Sequence, residues 1–331
     1  MLLLAGAMLV LAVGLAALPP LGADTADARR PIIGIDGGWA YWSPEETSFR
    51  RRLGIPWTRH EFTPDLLDEA PAYFEGARRA GTRTLCLLGN GQGAVPKDPE
   101  PYARWAAEFV RRYGPRAGGQ CTWLEVLNEP YWKDFSGGRA HPERYARFVR
   151  AVSMATRAVD PGVRILAAAD TTWAGDGPDD GTPWVEPMVA AVPDLENYID
   201  GIAVHPYTGD DPRLCSLAKR WCFNRLPEIR RRLVALGLNE PIWITEVGVS
   251  TCRSAPGCRT RAEQRAWTKD MLKKASRWPW VKAVFLYQLR DQRTGDNSSF
   301  QYGYGLFTDR GRPKPVWEVV RRYLRGGNRR R

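Results

Sequence analysis

The chain has 331 residues, 44% of them hydrophobic, with 14 Trp, 26 Pro and a net charge of +11. That length is too great for a mini-domain and suits one large barrel or two ordinary domains. The basic residues are spread over helix faces without an interleaved aromatic motif, which argues against a nucleic-acid module, and the arginine excess is read as a habit of composition.

At the start of the chain, Met1 to Leu18 are almost wholly apolar and are followed by Pro19-Pro20 and Ala26-Asp-Ala28. A hydrophobic stretch ahead of a small-residue cleavage site is the pattern of a secretory signal, so residues 1–28 are assigned to one and the protein to export. An uncleaved membrane anchor is the alternative, and no other membrane association is expected. The six cysteines fit an oxidising compartment. Cys215 with Cys222 and Cys252 with Cys258 bracket short loops and are expected to pair; Cys86 and Cys121 are either a third pair or two buried thiols. Asn297-Ser-Ser fits a glycosylation sequon.

From residue 31 short apolar runs alternate with longer amphipathic ones. The strands are predicted at Ile32–Asp36, Pro56–Phe62, Thr84–Gly89 and Thr122–Asn128. Four more follow at Ile165–Ala169, Ile199–His205, Ile242–Thr245 and Ala283–Tyr287. Helices lie between them. Tyr102, Trp105, Ala106, Phe109 and Tyr113 share one face of the third, and Tyr145, Phe148, Val149, Val152 and Val159 share one face of the fourth. Thr260 and Glu263 form a capping box for the seventh, and the last runs from about Pro315 to Leu324. The first, around Thr47 to Leu53, is short and poorly patterned. Eight strand–helix units predict a single (β/α)₈ TIM barrel over residues 29–326, with a disordered basic tail at 327–331. A doubly wound sheet with a second domain is the runner-up.

In such a barrel, functional residues stand at the carboxyl ends of the strands, and here those ends are polar. The first ends in Asp36-Gly-Gly-Trp39, the second contains Arg59-His60-Glu61, and the third leads into Asn90. The fourth ends in Asn128-Glu129 before Pro130, which stops the ladder. The fifth leads to Asp170 and Trp173, the sixth to His205-Pro-Tyr207, the seventh to Glu246 and the eighth to Tyr287-Gln288. Two glutamates at two strand ends are the equipment for splitting a glycosidic bond.

Leu-Asn128-Glu129-Pro, His205-Pro-Tyr207 and Ile-Thr-Glu246 resemble the clan A retaining glycoside hydrolases, in the manner of the cellulase-like family 5 and the family 39 β-xylosidase-like enzymes. The closing stretch from Tyr304 to Trp317 is similar as well, so the likeness covers nearly the whole mature chain. The resemblance implies that Glu129 is the acid/base and Glu246 the nucleophile. It also implies that Asn128 holds a sugar 2-hydroxyl, that Arg59 and Tyr207 hydrogen-bond the nucleophile, and that His205 lines the sugar subsite. One departure stands out: clan A enzymes commonly place Trp at the end of strand 8, where this chain has Tyr287 followed by Gln288.

Among the remaining candidates, Trp39, Trp132 and Trp173 follow strand ends and suit sugar stacking, and Asn90 is a further substrate contact. Glu125 shares strand parity with Glu129 and is expected to pair with a buried cation. Glu61 and Asp170 are read as structural or substrate-binding. Neither a cofactor nor a metal is expected, the histidines at 60, 141 and 205 being scattered. The expected protein is a monomer acting on an oligo- or polysaccharide. A barrel that binds carbohydrate without catalysis is the rival reading, and it has no need for an acid/nucleophile pair.

Overall fold

The computed structural model describes residues 30–37, 43–91, 94–132, 138–170, 184–207, 223–252, 258–292 and 300–328. The expectations for residues 1–28, Trp39, Trp173, the Cys215–Cys222 pair, Asn297 and residues 329–331 lie outside these.

The strands are β1 (Ile32–Asp36), β2 (Trp57–Phe62), β3 (Arg83–Leu88), β4 (Trp123–Val126), β5 (Arg164–Ala168), β6 (Gly201–Val204), β7 (Ile242–Val247) and β8 (Val281–Leu286). Each pairs in parallel with its sequence neighbour, and β8 closes on β1. All eight predicted strands are present, with ends displaced by a residue or two. Between and after them run α1 (Pro44–Leu53), α2 (Ala70–Ala80), α3 (Glu100–Tyr113), α4 (Pro142–Val159), α5 (Val185–Ala191), α6 (Leu226–Ala235), α7 (Arg261–Ala275) and α8 (Pro315–Asn328). This is a (β/α)₈ barrel.

Local chemistry explains the helix ends. Ser43 caps α1 by accepting from the Glu46 amide, and Thr260 and Glu263 form the expected capping box on α7. Gly81 closes α2 in the left-handed region at φ 71°, where a side chain would be strained.

Two cores follow from strand alternation. Inside the barrel, Leu85, Leu166, Ala203, Trp243, Ala283 and Phe285 pack together, and Ile32, Trp57 and Trp123 close the cluster at the amino ends of the strands. Trp243 lies 4.3 Å from Trp123 and stacks on Phe285 at 6.4 Å. The Phe285 ring occupies the place of a Cβ on Gly34, 2.3 Å away, so β1 needs glycine there. Outward residues such as Ile35, Leu124, Ile202 and Ile244 pack with the helices in the larger core. Truncating a buried Trp such as Trp243 to Ala would cost about 3–5 kcal/mol.

Cys86, on the outer side of β3, is joined to Cys121, just ahead of β4, and Cys252 is joined to Cys258. The first bond decides between the two alternatives that spacing left open. Outside the barrel, His60 stacks on Tyr73 of α2 at 3.8 Å. Burial, helped by the Arg50 guanidinium, pushes His60 down to about 3 and keeps it neutral. It therefore belongs to the packing.

Candidate active site

The interior changes character one layer above the aromatic plug. Arg59, the third residue of β2, points inward and uses every one of its guanidinium nitrogens. Nε donates to Glu125 Oε2 at 2.6 Å, and Nη2 to Glu125 Oε1 at 3.1 Å and Asn128 Oδ1 at 2.8 Å. Nη1 donates to Glu246 Oε1 at 2.5 Å and Asp36 Oδ2 at 3.2 Å. Burial acts against the guanidinium's charge, but Glu125, Glu246 and Asp36 outweigh it and hold the group well above its ordinary range. Glu125 is thus the expected partner of a buried cation. Burial alone would raise its carboxyl; Arg59 and His205 overcome this and bring it down to about 2.

Backbone irregularities bring consecutive residues of β4 and β7 into the same space. After Val126, Leu127 and Glu129 take positive φ values of 61° and 41°, uncommon for residues with side chains. Leu127 stays in the outer core while Asn128 reaches Arg59 and Glu129 reaches His205. On β7 the pairing with β8 shifts register between Ile244 and Val247. That irregularity lets Thr245 and Glu246 both face inward, where a regular strand would alternate them.

His205, just past β6, links the two glutamate strands. Its Nδ1 lies 2.8 Å from Glu129 Oε1 and 3.8 Å from Glu246 Oε2. Its Nε2 lies 3.0 Å from Thr245 Oγ1, which donates to Glu125 at 2.9 Å. Burial would lower its basicity, yet Glu246 and the bonds to Glu125 and Glu129 push it up to about 10. Tyr207 donates to Glu246 Oε2 at 2.7 Å. One oxygen of Glu129, one of Glu246 and a His205 ring nitrogen all lie within 4.8 Å of one another. Arg59 and Tyr207 already hydrogen-bond both oxygens of Glu246 in this cluster.

Tyr287, at the end of β8, stands 6.4 Å from Tyr207 and 5.4 Å from Tyr304, and the three rings form one wall of the mouth. The structure therefore brings together Arg59, Asn128, Glu129, His205, Tyr207, Glu246 and Tyr287. Asn90 is set apart, its amide donating to the Ala94 carbonyl in its own loop. Gln288 is 3% exposed, with its amide nitrogen buried and lacking a partner among the described residues. Glu61 sits where a Cβ on residue 89 would be, 1.7 Å from it, so Gly89 makes room for that carboxyl at the rim.

Sequence reasoning assigned no role to Asp36, Tyr131, Thr245 or Tyr304. Tyr131 is buried with its hydroxyl 3.5 Å from Glu129. Asp36 and Tyr131 adjoin recognised motifs, Tyr304 opens the closing stretch, and only Thr245 was hidden by its strand parity.

The comparisons agree with this geometry. A family model described as "Glycosyl hydrolase catalytic core" matches residues 105–318, more than half of the chain. Among solved structures, a family 39 glycoside hydrolase from Bacteroides cellulosilyticus WH2 is 16% identical at a TM-score of 0.65, over 89% of this chain and 64% of that one. A monomeric β-xylosidase from Caulobacter crescentus CB15 is 17% identical at 0.65, over 90% and 68%. A structure of fungal β-1,4-galactanases is 14% identical at 0.65, over 88% and 98%. Comparison with curated proteins returned no match. The chain belongs to the glycosyl hydrolase catalytic core family and is a glycosidase built on a (β/α)₈ barrel.

Proposed function

We propose that this enzyme is a secreted, retaining β-glycoside hydrolase acting on oligo- or polysaccharides, with Glu246 as nucleophile and Glu129 as acid/base. One observation carries the reading: oxygens of the two carboxyls lie within 4.8 Å of each other. Retaining enzymes hold their carboxyl groups roughly 5–5.5 Å apart, whereas inverting enzymes leave about 6.5–9.5 Å for a water.

The division of labour follows from the neighbours. Glu246 receives hydrogen bonds from Arg59 Nη1 and the Tyr207 hydroxyl, which aim its carboxyl for attack. Glu246 attacks the anomeric carbon, the bond to the leaving oxygen breaks, and Glu129 gives that oxygen its proton. The 2.8 Å contact with His205 Nδ1 fixes where the Glu129 carboxyl stands beside the nucleophile. Water then attacks the glycosyl-enzyme, Glu129 takes the water's proton, and Glu246 leaves as carboxylate. Because Arg59 claims the Asn128 carbonyl oxygen, the Asn128 amide nitrogen is left for a sugar hydroxyl. The tyrosine wall offers stacking area in the place of the usual Trp. The two disulfides support an oxidising compartment, and hence export.

Azide rescue tests the roles on an aryl β-glycoside with a good leaving group. Glu129→Ala should yield a β-azide, by capture of the glycosyl-enzyme. Glu246→Gly should yield an α-azide, by direct attack from the emptied face. The same anomer from both variants would sink the assignment.

A further inference from the structure

The parallel barrel sorts the chain's charges by sidedness. Each helix returns the chain from the carboxyl to the amino ends of the strands, so every last turn lies at the amino-terminal side. All helices but α5 carry a basic residue in the last turn, and all but α2 an acidic one in the first. Each arrangement favours its own helix dipole. Their sum places a ring of basic last turns on the amino-terminal side of the barrel.

On part of the basic side the cations are matched. Arg157 and Arg164 pair with Asp200, and Arg78 and Arg79 with Glu75. On α1 and α8, Arg50 pairs with Glu46 and Arg322 with Glu318, but three further arginines have no acidic partner among the described residues. Arg52 bonds only the Ser48 hydroxyl, and among the described residues neither Arg321 nor Arg325 has an acidic partner. These three arginines line a cavity of about 390 Å³ between the end of α1 and α8, whose apolar wall is Leu53, Leu324 and Trp317. Arginines over an apolar floor suit a phosphate headgroup carrying a hydrocarbon. Both ends of the barrel chain meet this side. Ile32 opens β1 there, and α8 ends there ahead of Arg329-Arg-Arg331. Arg30 and Arg277 lie close enough to Tyr323 of α8 to act on its phenol.

We infer that the α1–α8 end of the barrel is a docking face for an anionic phospholipid leaflet, seating lipid headgroups on Arg52, Arg321 and Arg325 and turning the catalytic mouth away from the membrane. Composition alone does not locate such a face, because a count of arginines is blind to where a closed parallel barrel collects them.

The test uses the full chain and two triple variants of equal charge change. One is Arg52→Glu with Arg321→Glu and Arg325→Glu. The other, on the catalytic side or away from the face, is Arg104→Glu with Arg265→Glu and Arg310→Glu. Co-sedimentation is measured on vesicles of phosphatidylcholine alone and with about 30% phosphatidylglycerol, which supplies the negative surface potential. A basic side chain near such a surface is worth roughly a factor of five, so the first triple should weaken binding to the anionic vesicles by about a hundredfold. The second should change it by less than about fivefold, and both should keep wild-type turnover of an aryl β-glycoside, which reports folding. Any contribution of the apolar segment is common to all three proteins. Equal losses from both triples would reduce the face to net charge and overturn the proposal. So would binding independent of phosphatidylglycerol. Loss by the first triple on immobilised polyphosphate, with none on vesicles, would assign the face to a soluble polyanion and also overturn it.

Discussion

Arg59 and Glu125 face each other across the barrel in a two-point ion pair, at 2.6 and 3.1 Å, with side chains only 4% and 1% exposed. The pair lies beneath the two candidate catalytic carboxyls. Its consequence is positional: with one edge of the guanidinium fixed by Glu125, the other donors can reach only Asp36, Glu246 and Asn128. Glu125→Gln keeps the shape and removes the charge, so Arg59 should be drawn toward Glu246. An ångström of misplacement at such a site costs about a hundredfold in rate, and kcat/KM should fall by about that factor. Glu125→Ala should in addition destabilise the fold by about 3–5 kcal/mol, because it removes the two-point partner of a buried cation. Steady-state kinetics and denaturant unfolding read the two effects separately. Wild-type kcat/KM in Glu125→Gln would remove Glu125 from the site.

His205 predicts an alkaline limit. Burial opposes its charge, but Glu246, Glu125 and Glu129 push it up to about 10. The folded chain therefore holds the proton more tightly than the unfolded chain, whose histidine titrates near about 6.5. The resulting stabilisation is complete below about 6.5 and is lost as pH rises through 10. Urea midpoints taken between pH 6 and 10 should fall for the wild type. They should fall less steeply for His205→Gln, which carries no titrating proton. Parallel slopes would show that the imidazole is not held in its charged form.

Lys314 fixes the loops that carry the tyrosine wall. Its side chain is fully buried and donates to Asp291 Oδ1 at 2.7 Å, Thr251 Oγ1 at 2.8 Å and the Gly303 carbonyl at 2.8 Å. Lys314→Met leaves the half-buried Asp291 carboxylate without its cation and takes one donor from each of the three acceptors, and should cost about 3–5 kcal/mol. Adding Asp291→Asn removes the stranded charge and should restore part of that loss. A double variant no more stable than Lys314→Met would place the cost in packing rather than in the ion pair.

The barrel was legible because each parallel strand is buried on both faces and therefore reads as a short apolar run, interrupted at its end by polar residues. Ile32–Asp36 was legible to the residue, and Glu129 and Glu246 were found because each breaks such a run. Less was visible where the backbone departs from alternation. The positive φ of Leu127 and the shifted register after Ile244 decide which side chains share the mouth, and neither leaves a glycine or proline at the position to mark it. Thr245 looked like an ordinary strand residue for that reason. The link from Cys86 to Cys121 joins residues 35 apart, and only the barrel places them side by side. Asn90 lies beyond a strand end, and one of its amide hydrogens is donated to the Ala94 carbonyl in its own loop.

Proton NMR of the anomer released first from an aryl β-glycoside tests the central claim most directly. Two carboxyls with oxygens within 4.8 Å leave no room for a water between nucleophile and sugar. The account predicts that the β-anomer appears first and the α-anomer only later, by mutarotation. An α-anomer at the earliest time points would mean single displacement, and would contradict the assignment of Glu246 as nucleophile.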